Sequence, residues 1–138
     1  KEKMVKLAND LPDVHDEGRI GQDDIVRHTF ESGIWAYPCF DFEEIYCITA
    51  VKAQAAGAYP VTTDRAALDE NVKFGIKIPS KNYGEKELKQ YKQALIDALN
   101  NTDKQDEERQ AMMDWARTNK SWLSVARDWD EEFGKTDM

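Results

Sequence analysis

An acidic loop, Asp41-Phe42-Glu43-Glu44, runs straight into Ile45-Tyr46-Cys47, and this junction concentrates the residues able to do chemistry. Ahead of it the compact apolar run Ile34-Trp35-Ala36-Tyr37 stops at Pro38, the pattern of a buried parallel strand. Ligands of open parallel sheets settle outside the carboxyl ends of the strands, where such loops leave. A helix beginning after the loop would turn its unpaired amides, around Ile45, Tyr46 and Cys47, toward a small phosphorylated ligand. That dipole is worth about 0.3–1 kcal/mol where exposed. The bland account of Glu44 is an acid favoured at a helix start for the same dipole. Asp41, Glu43 and Glu44 lack the histidine spacing and the Asp-x-Asp pattern of a metal centre, so they read as a solvated acidic loop. No metal and no cofactor is expected. His15 and His28 are isolated, and Gly18 and Gly21 fall short of a dinucleotide fingerprint.

The positioning elements follow from periodicity. Residues 3–11 carry Met4, Leu7, Ala8 and Leu11 at helical spacing and end at Pro12. Residues 13–18 read as a brief strand and turn, and Asp23 or Asp24 opens a helix closing at Gly33. Residues 45–56 read as a helix rich in small residues, with Gly57 beyond it. Strands are expected at residues 59–62 and 72–78, with a helical turn at 64–70 that Thr63 or Asp64 would cap. Residues 85–99 form an amphipathic helix carrying Leu88, Tyr91, Leu95 and Leu99. Residues 106–117 and 121–133 form a broken terminal helix. Its Trp115, Trp122 and Trp129, at seven-residue intervals, are expected to pack as a stripe. The polar stretch 100–108 reads as a hinge or surface loop. Alternating strands and helices give an α/β fold with a parallel sheet.

Composition narrows the partners. The 138 residues suffice for one domain with a real core. A net charge of −8, from 27 acidic and 19 basic residues with no basic stripe, argues against nucleic acid and against an anionic membrane surface. No apolar run approaches the roughly 20 residues of a membrane span. Two cysteines, Cys39 and Cys47, fit core thiols in a reduced, cytoplasmic setting better than a disulfide.

The block from Ser32-Gly33-Ile34-Trp35-Ala36-Tyr37-Pro38 to Val61-Thr62-Thr63-Asp64 resembles the donor-binding domain of retaining glycosyltransferases with two facing Rossmann-like domains, the GT-B class (glycosyl transferases group 1). The matching parts are Pro38, Phe42-Glu43-Glu44-Ile45-Tyr46-Cys47, Ala55-Ala56-Gly57 and Pro60-Val61, with Gly18-Arg19-Ile20 upstream and Ser121-Trp122 in the last helix. The resemblance implies a partial Rossmann-like parallel sheet flanked by helices over residues 1–100, and a C-terminal helical extension over 101–138. It implies a nucleoside diphosphate sugar as ligand, with transfer of the glycosyl unit to an acceptor. Glu44 would accept hydrogen bonds from hydroxyls of the donor sugar, and the amides of Ile45, Tyr46 and Cys47 would hold the diphosphate. The family's second glutamate, eight residues on, reaches the ribose; here that position is Lys52. Eight residues is just over two helical turns, so Glu44 and Lys52 would share one side. Lysine donates to a ribose hydroxyl or phosphate but cannot accept as a carboxylate does.

By the same resemblance, two central strands and the N-terminal acceptor domain, with its phosphate-gripping basic residue, belong to the complete enzyme. No catalytic residue is therefore assigned within this chain, which alone would be inactive. A strand near Val14 lacking its neighbour predicts rearranged pairing, exchange between copies, or a piece of a longer protein. The rival reading is a non-catalytic binding or assembly module with a degraded donor site, for which Lys52 is the main argument.

Overall fold

The computed structural model describes residues 2–81 and 84–134. In chain order the elements are α1 (Glu2–Asn9), α2 (Gln22–Glu31), β1 (Ile34–Tyr37), α3 (Ile48–Ala56), β2 (Tyr59–Thr63), α4 (Ala67–Asn71), β3 (Ile76–Ile78), α5 (Glu85–Asn100), α6 (Thr102–Asn119) and α7 (Trp122–Phe133). The three strands form one parallel sheet in the order β1-β2-β3. Ile34 lies opposite Tyr59, and Val61 opposite Ile76. The fold is the expected α/β arrangement, a partial Rossmann-like parallel sheet flanked by helices and followed by C-terminal helices.

Two apolar layers clamp the sheet. On one face Val61, Ile78 and Phe40 meet Tyr91, Ala94 and Ala98 of α5. The Tyr91 hydroxyl donates to the Val61 carbonyl at 2.9 Å, so its polar tip is satisfied inside the core. On the other face Cys39, Cys47, Ala50, Leu68 and Val72 pack with Trp35 and Tyr37. Leu68 and Val72 are wholly buried, each worth about 1.5–3 kcal/mol of apolar transfer. Ala50 and Ala53, also wholly buried, let α3 lie close to the sheet. Behind α3 lies α6, and α2 flanks it.

Two glycines fix the connections. Gly57 ends α3 in the left-handed region, and the Ala58 amide donates to the Ala53 carbonyl at 2.9 Å. Gly75 enters β3 at φ 95°, where a Cβ would stand 2.3 Å from the Pro60 carbonyl oxygen. Only glycine, lacking a Cβ, lets the chain pass this close to Pro60, and β3 begins at Ile76 rather than at residue 72.

Several expectations need correction. Residues 13–18 form no strand; Gly18 turns at φ 61° with its amide on the Asp16 carboxylate at 3.0 Å. β1 pairs with β2 in regular register rather than by rearrangement, and among the described residues no strand covers its other edge. Residues 100–108 are not a hinge, because α5 and α6 meet at Asn101 alone and the buried Gln105 amide donates to the Ala98 carbonyl. Neither Thr63 nor Asp64 caps α4, whose N-cap is Ala66. The Thr63 hydroxyl instead donates to the Cys39 carbonyl at 2.6 Å, and Asp64 accepts from the Ser80 amide at 2.7 Å. The tryptophan stripe is not packed: Trp115 meets Phe74 edge-on, whereas Trp122 is 81% exposed and Trp129 64%.

Candidate functional site

Two loops leave the carboxyl ends of the paired strands, residues 38–47 after β1 and 64–66 after β2. Hydrogen bonds tie them into one surface. The Ala67 amide donates to the Glu44 carbonyl at 3.1 Å, and the Asn71 side chain donates to the Tyr46 carbonyl at 2.7 Å. The Thr62 hydroxyl holds the Tyr37 carbonyl at 2.7 Å at the mouth of the first loop.

Glu44 sits at the centre of this surface. Its Oε1 accepts from the Tyr37 hydroxyl at 2.5 Å. Burial, followed by the hydrogen bond and charge of Glu44, pushes the Tyr37 phenol well above its ordinary value. Tyr37 therefore stays a donor through the physiological range. Cys39 is buried, and its thiol is pushed up by desolvation first and by Glu44 next, which suits a core thiol rather than a nucleophile. Cys39 and Cys47 are both free and buried.

Arg65, just past Asp64, brings a cation to the same crest. Its Nη2 stands 4.0 Å from Glu43 Oε1. Its Nε is buried with no hydrogen-bond partner, the single such side-chain atom among the described residues. Backbone strain gathers here as well. Among the described residues, Cys47 (φ 55°) and Ala66 (φ 49°) are the non-glycine residues with positive φ, and each closes one of the two loops. Such conformations cost about 1–3 kcal/mol each and cluster at ligand sites.

The anticipated amide cradle is shifted. Residues 45–47 are loop, and α3 starts at Ile48 with Cys47 as its N-cap. The Ala50 amide already bonds the Cys47 carbonyl at 3.0 Å, so the helix's free first-turn amides belong to Ile48 and Thr49 rather than to Ile45, Tyr46 and Cys47. Ile45 is 95% exposed, and Cys47 points into the core. Because Glu44 lies off the helix, it does not share a helical face with Lys52. Lys52 and Tyr46 instead line a cavity of about 590 Å³ between α3, α6 and α7, whose lining does not include Glu44.

A buried polar relay fixes this arrangement. Gln54, wholly buried, donates to the Asn71 carbonyl at 2.8 Å and accepts from the Lys73 amide at 3.1 Å. Asn71 in turn accepts from Lys120 at 2.7 Å while holding Tyr46. Sequence reasoning missed Gln54, Asn71 and Arg65. The available signal for Gln54 was one amide within an otherwise small-residue buried helix face; Asn71 and Arg65 carried none. No protein-family model matches the chain, and no curated protein matches it either.

Proposed function

We propose that the chain is the donor-binding half of a retaining GT-B glycosyltransferase, taking a nucleoside diphosphate sugar at the joined loops of β1 and β2. The observation that carries the reading is Glu44 clamped by Tyr37 at the carboxyl end of a parallel sheet, on a loop bonded to the next strand's loop. One Glu44 oxygen is engaged by Tyr37; the carboxylate keeps further lone pairs for sugar hydroxyls. The first-turn amides of Ile48 and Thr49, together with the under-coordinated Arg65 guanidinium, supply positive potential for the diphosphate. Catalysis in this class is positioning plus stabilisation of the leaving diphosphate, and the acceptor domain completes it. Retention of anomeric configuration rests on the resemblance alone.

A second reading, a binding or assembly module with a degraded donor site, is favoured by one observation. Lys52 lies in an apolar trough with Tyr46 rather than beside Glu44. Calorimetric titration with UDP- and GDP-sugars, using the chain joined to any acceptor domain encoded beside it, separates the two. Binding that falls at least about tenfold, or 1.4 kcal/mol, in Glu44→Gln supports the transferase. No binding of either sugar nucleotide leaves the assembly module.

A further inference from the structure

The fold fixes the backbone at Arg65 and leaves the charged end of its side chain almost unbonded. Between β2 and α4 the chain is pinned at successive residues. The Asp64 amide donates to the Ile78 carbonyl at 3.0 Å, the Leu68 amide to the Arg65 carbonyl at 3.0 Å, and the Ala67 amide to the Glu44 carbonyl at 3.1 Å. The side chain leaving this frame is only 29% exposed. A guanidinium carries five N–H donors, yet among the described residues none of those of Arg65 enters a hydrogen bond, and its Nε is buried. Covered polar groups are normally satisfied, and an exception in a native fold calls for an explanation, a bound ion among them.

Glu43 is the one acid paired with Arg65 among the described residues, and the pair is loose. Nη2 and Oε1 stand 4.0 Å apart, beyond hydrogen-bond reach, and the Glu43 side chain is 79% exposed. One partner is held by the fold; the other projects into solvent and can swing away. An exposed pair of this kind shifts an equilibrium by a few-fold at most. Arg65 also shares a neighbour with Glu44. Burial raises the Cys39 thiol most, Glu44 raises it further, and Arg65 opposes them. The guanidinium therefore belongs to the surface on which Glu44 lies.

We infer that Glu43 is a resident stand-in for a ligand phosphate: it keeps Arg65 oriented in the free chain and yields the guanidinium to a phosphate oxygen on binding. That this phosphate is the diphosphate of a sugar nucleotide rests on the donor reading above; the exchange itself needs only a phosphate. A diphosphate brings more charge than one carboxylate and can take two parallel N–H···O bonds from the guanidinium, at about 2.7–2.9 Å. Glu43 makes no such bond. Glu43 is thus a positioning residue whose effect has a distinctive sign, because it lowers phosphate affinity although it belongs to the site.

Isothermal titration calorimetry of the full 138-residue chain with inorganic pyrophosphate, UDP-glucose and GDP-mannose tests the exchange. Glu43→Gln is expected to bind pyrophosphate about threefold more tightly, with its urea unfolding unchanged. Arg65→Gln is expected to bind it at least about tenfold more weakly, and adding Glu43→Gln to that variant should restore nothing. Asp41→Asn removes the same charge two residues away and should leave affinity within about 1.5-fold. No tightening in Glu43→Gln overturns the inference. Equal tightening in Asp41→Asn, or in Glu43→Gln with Arg65 already replaced, overturns it too, since either would reflect bulk charge alone. So does a chain that binds none of the three ligands. The donor reading is judged separately. The expected pyrophosphate response without binding of either sugar nucleotide keeps the exchange and removes the donor reading. Sugar-nucleotide binding that falls in Glu44→Gln and ignores Glu43→Gln does the reverse.

Discussion

Tyr37 closes strand β1 and reaches across the following loop to hold Glu44, seven residues on, through a 2.5 Å hydrogen bond. The strand end and the acid that leaves it are thereby one unit. Tyr37→Phe keeps the ring's stacking on Trp35, 5.0 Å between centroids, and removes only the donor. Hydrogen bonds to charged groups are worth about 1.5–3 kcal/mol; partial exposure puts Tyr37→Phe at about 1–2 kcal/mol by urea unfolding. The same variant is expected to lower sugar-nucleotide affinity without abolishing it, by loosening Glu44. Unchanged stability would mean that the hydroxyl does not clamp the loop.

The tyrosines also set an alkaline limit. Tyr59 and Tyr91 are both pushed up to about 12, chiefly by burial, and Tyr37 is raised further. A phenol whose folded pKa exceeds its unfolded value of 10.0 keeps its full contribution below that value. As pH rises above it, the unfolded chain releases protons that the folded chain retains, and stability falls. Unfolding midpoints are therefore expected to hold level from neutral pH to about 9.5 and decline steeply above 10. Tyr91→Phe should flatten part of that decline, because it removes one of the three raised phenols. A profile level through pH 11 would contradict this assignment.

Ala66 sits at φ 49°, ψ −125°, with its side chain exposed. Its replacement therefore sacrifices little packing. Releasing a strain of about 1–3 kcal/mol against the roughly 0.5–1 kcal/mol that glycine costs in chain entropy leaves Ala66→Gly more stable by about 1 kcal/mol. Thermal melting reads this directly. A destabilised variant would show that the strain is absent.

β1 and β2 were legible because Ile34-Trp35-Ala36-Tyr37 and Tyr59-Pro60-Val61 are apolar runs bounded by proline or glycine. The start of α3 was misplaced because Ile45-Tyr46-Cys47 continues the hydrophobic pattern without a break. What delays the helix to Ile48 is Cys47, its N-cap, in the left-handed region, a conformation that its residue type does not announce. Trp122 and Trp129 have the spacing of a buried stripe, yet periodicity specifies a shared face and not what covers it. Arg65 and Asn71 act through partners 22 and 25 residues away, beyond the reach of any local pattern.

Asn71 joins three parts of the molecule: it donates to Tyr46, accepts from Lys120, and offers its carbonyl to Gln54. Asn71→Ala leaves the Tyr46 carbonyl and the Lys120 ammonium without their partner in a 2% exposed site, an expected cost of about 2–4 kcal/mol. Gln54→Leu acts differently. It fills the same volume but strands the Lys73 amide and the Asn71 carbonyl, costing about 1–3 kcal/mol. The double variant should cost less than the two combined, because both remove one shared relay. Additive losses in urea unfolding would show that Gln54 and Asn71 act separately.

Lys52 offers the sharpest test of the donor reading. In the resembled enzymes a glutamate stands at this position and reaches the ribose; here lysine shares a trough with Tyr46. Lys52 is exposed and forms none of the described hydrogen bonds or ion pairs, so Lys52→Glu is expected to leave stability within about 0.5 kcal/mol. If the trough's mouth receives the nucleotide, the new carboxylate can accept from both ribose hydroxyls, and affinity for the sugar nucleotide should rise about tenfold. Affinity for inorganic pyrophosphate, which has no ribose, should stay level or fall with the lost positive charge. Equal changes for both ligands would mean that Lys52 senses only charge, and the ribose would then lie elsewhere.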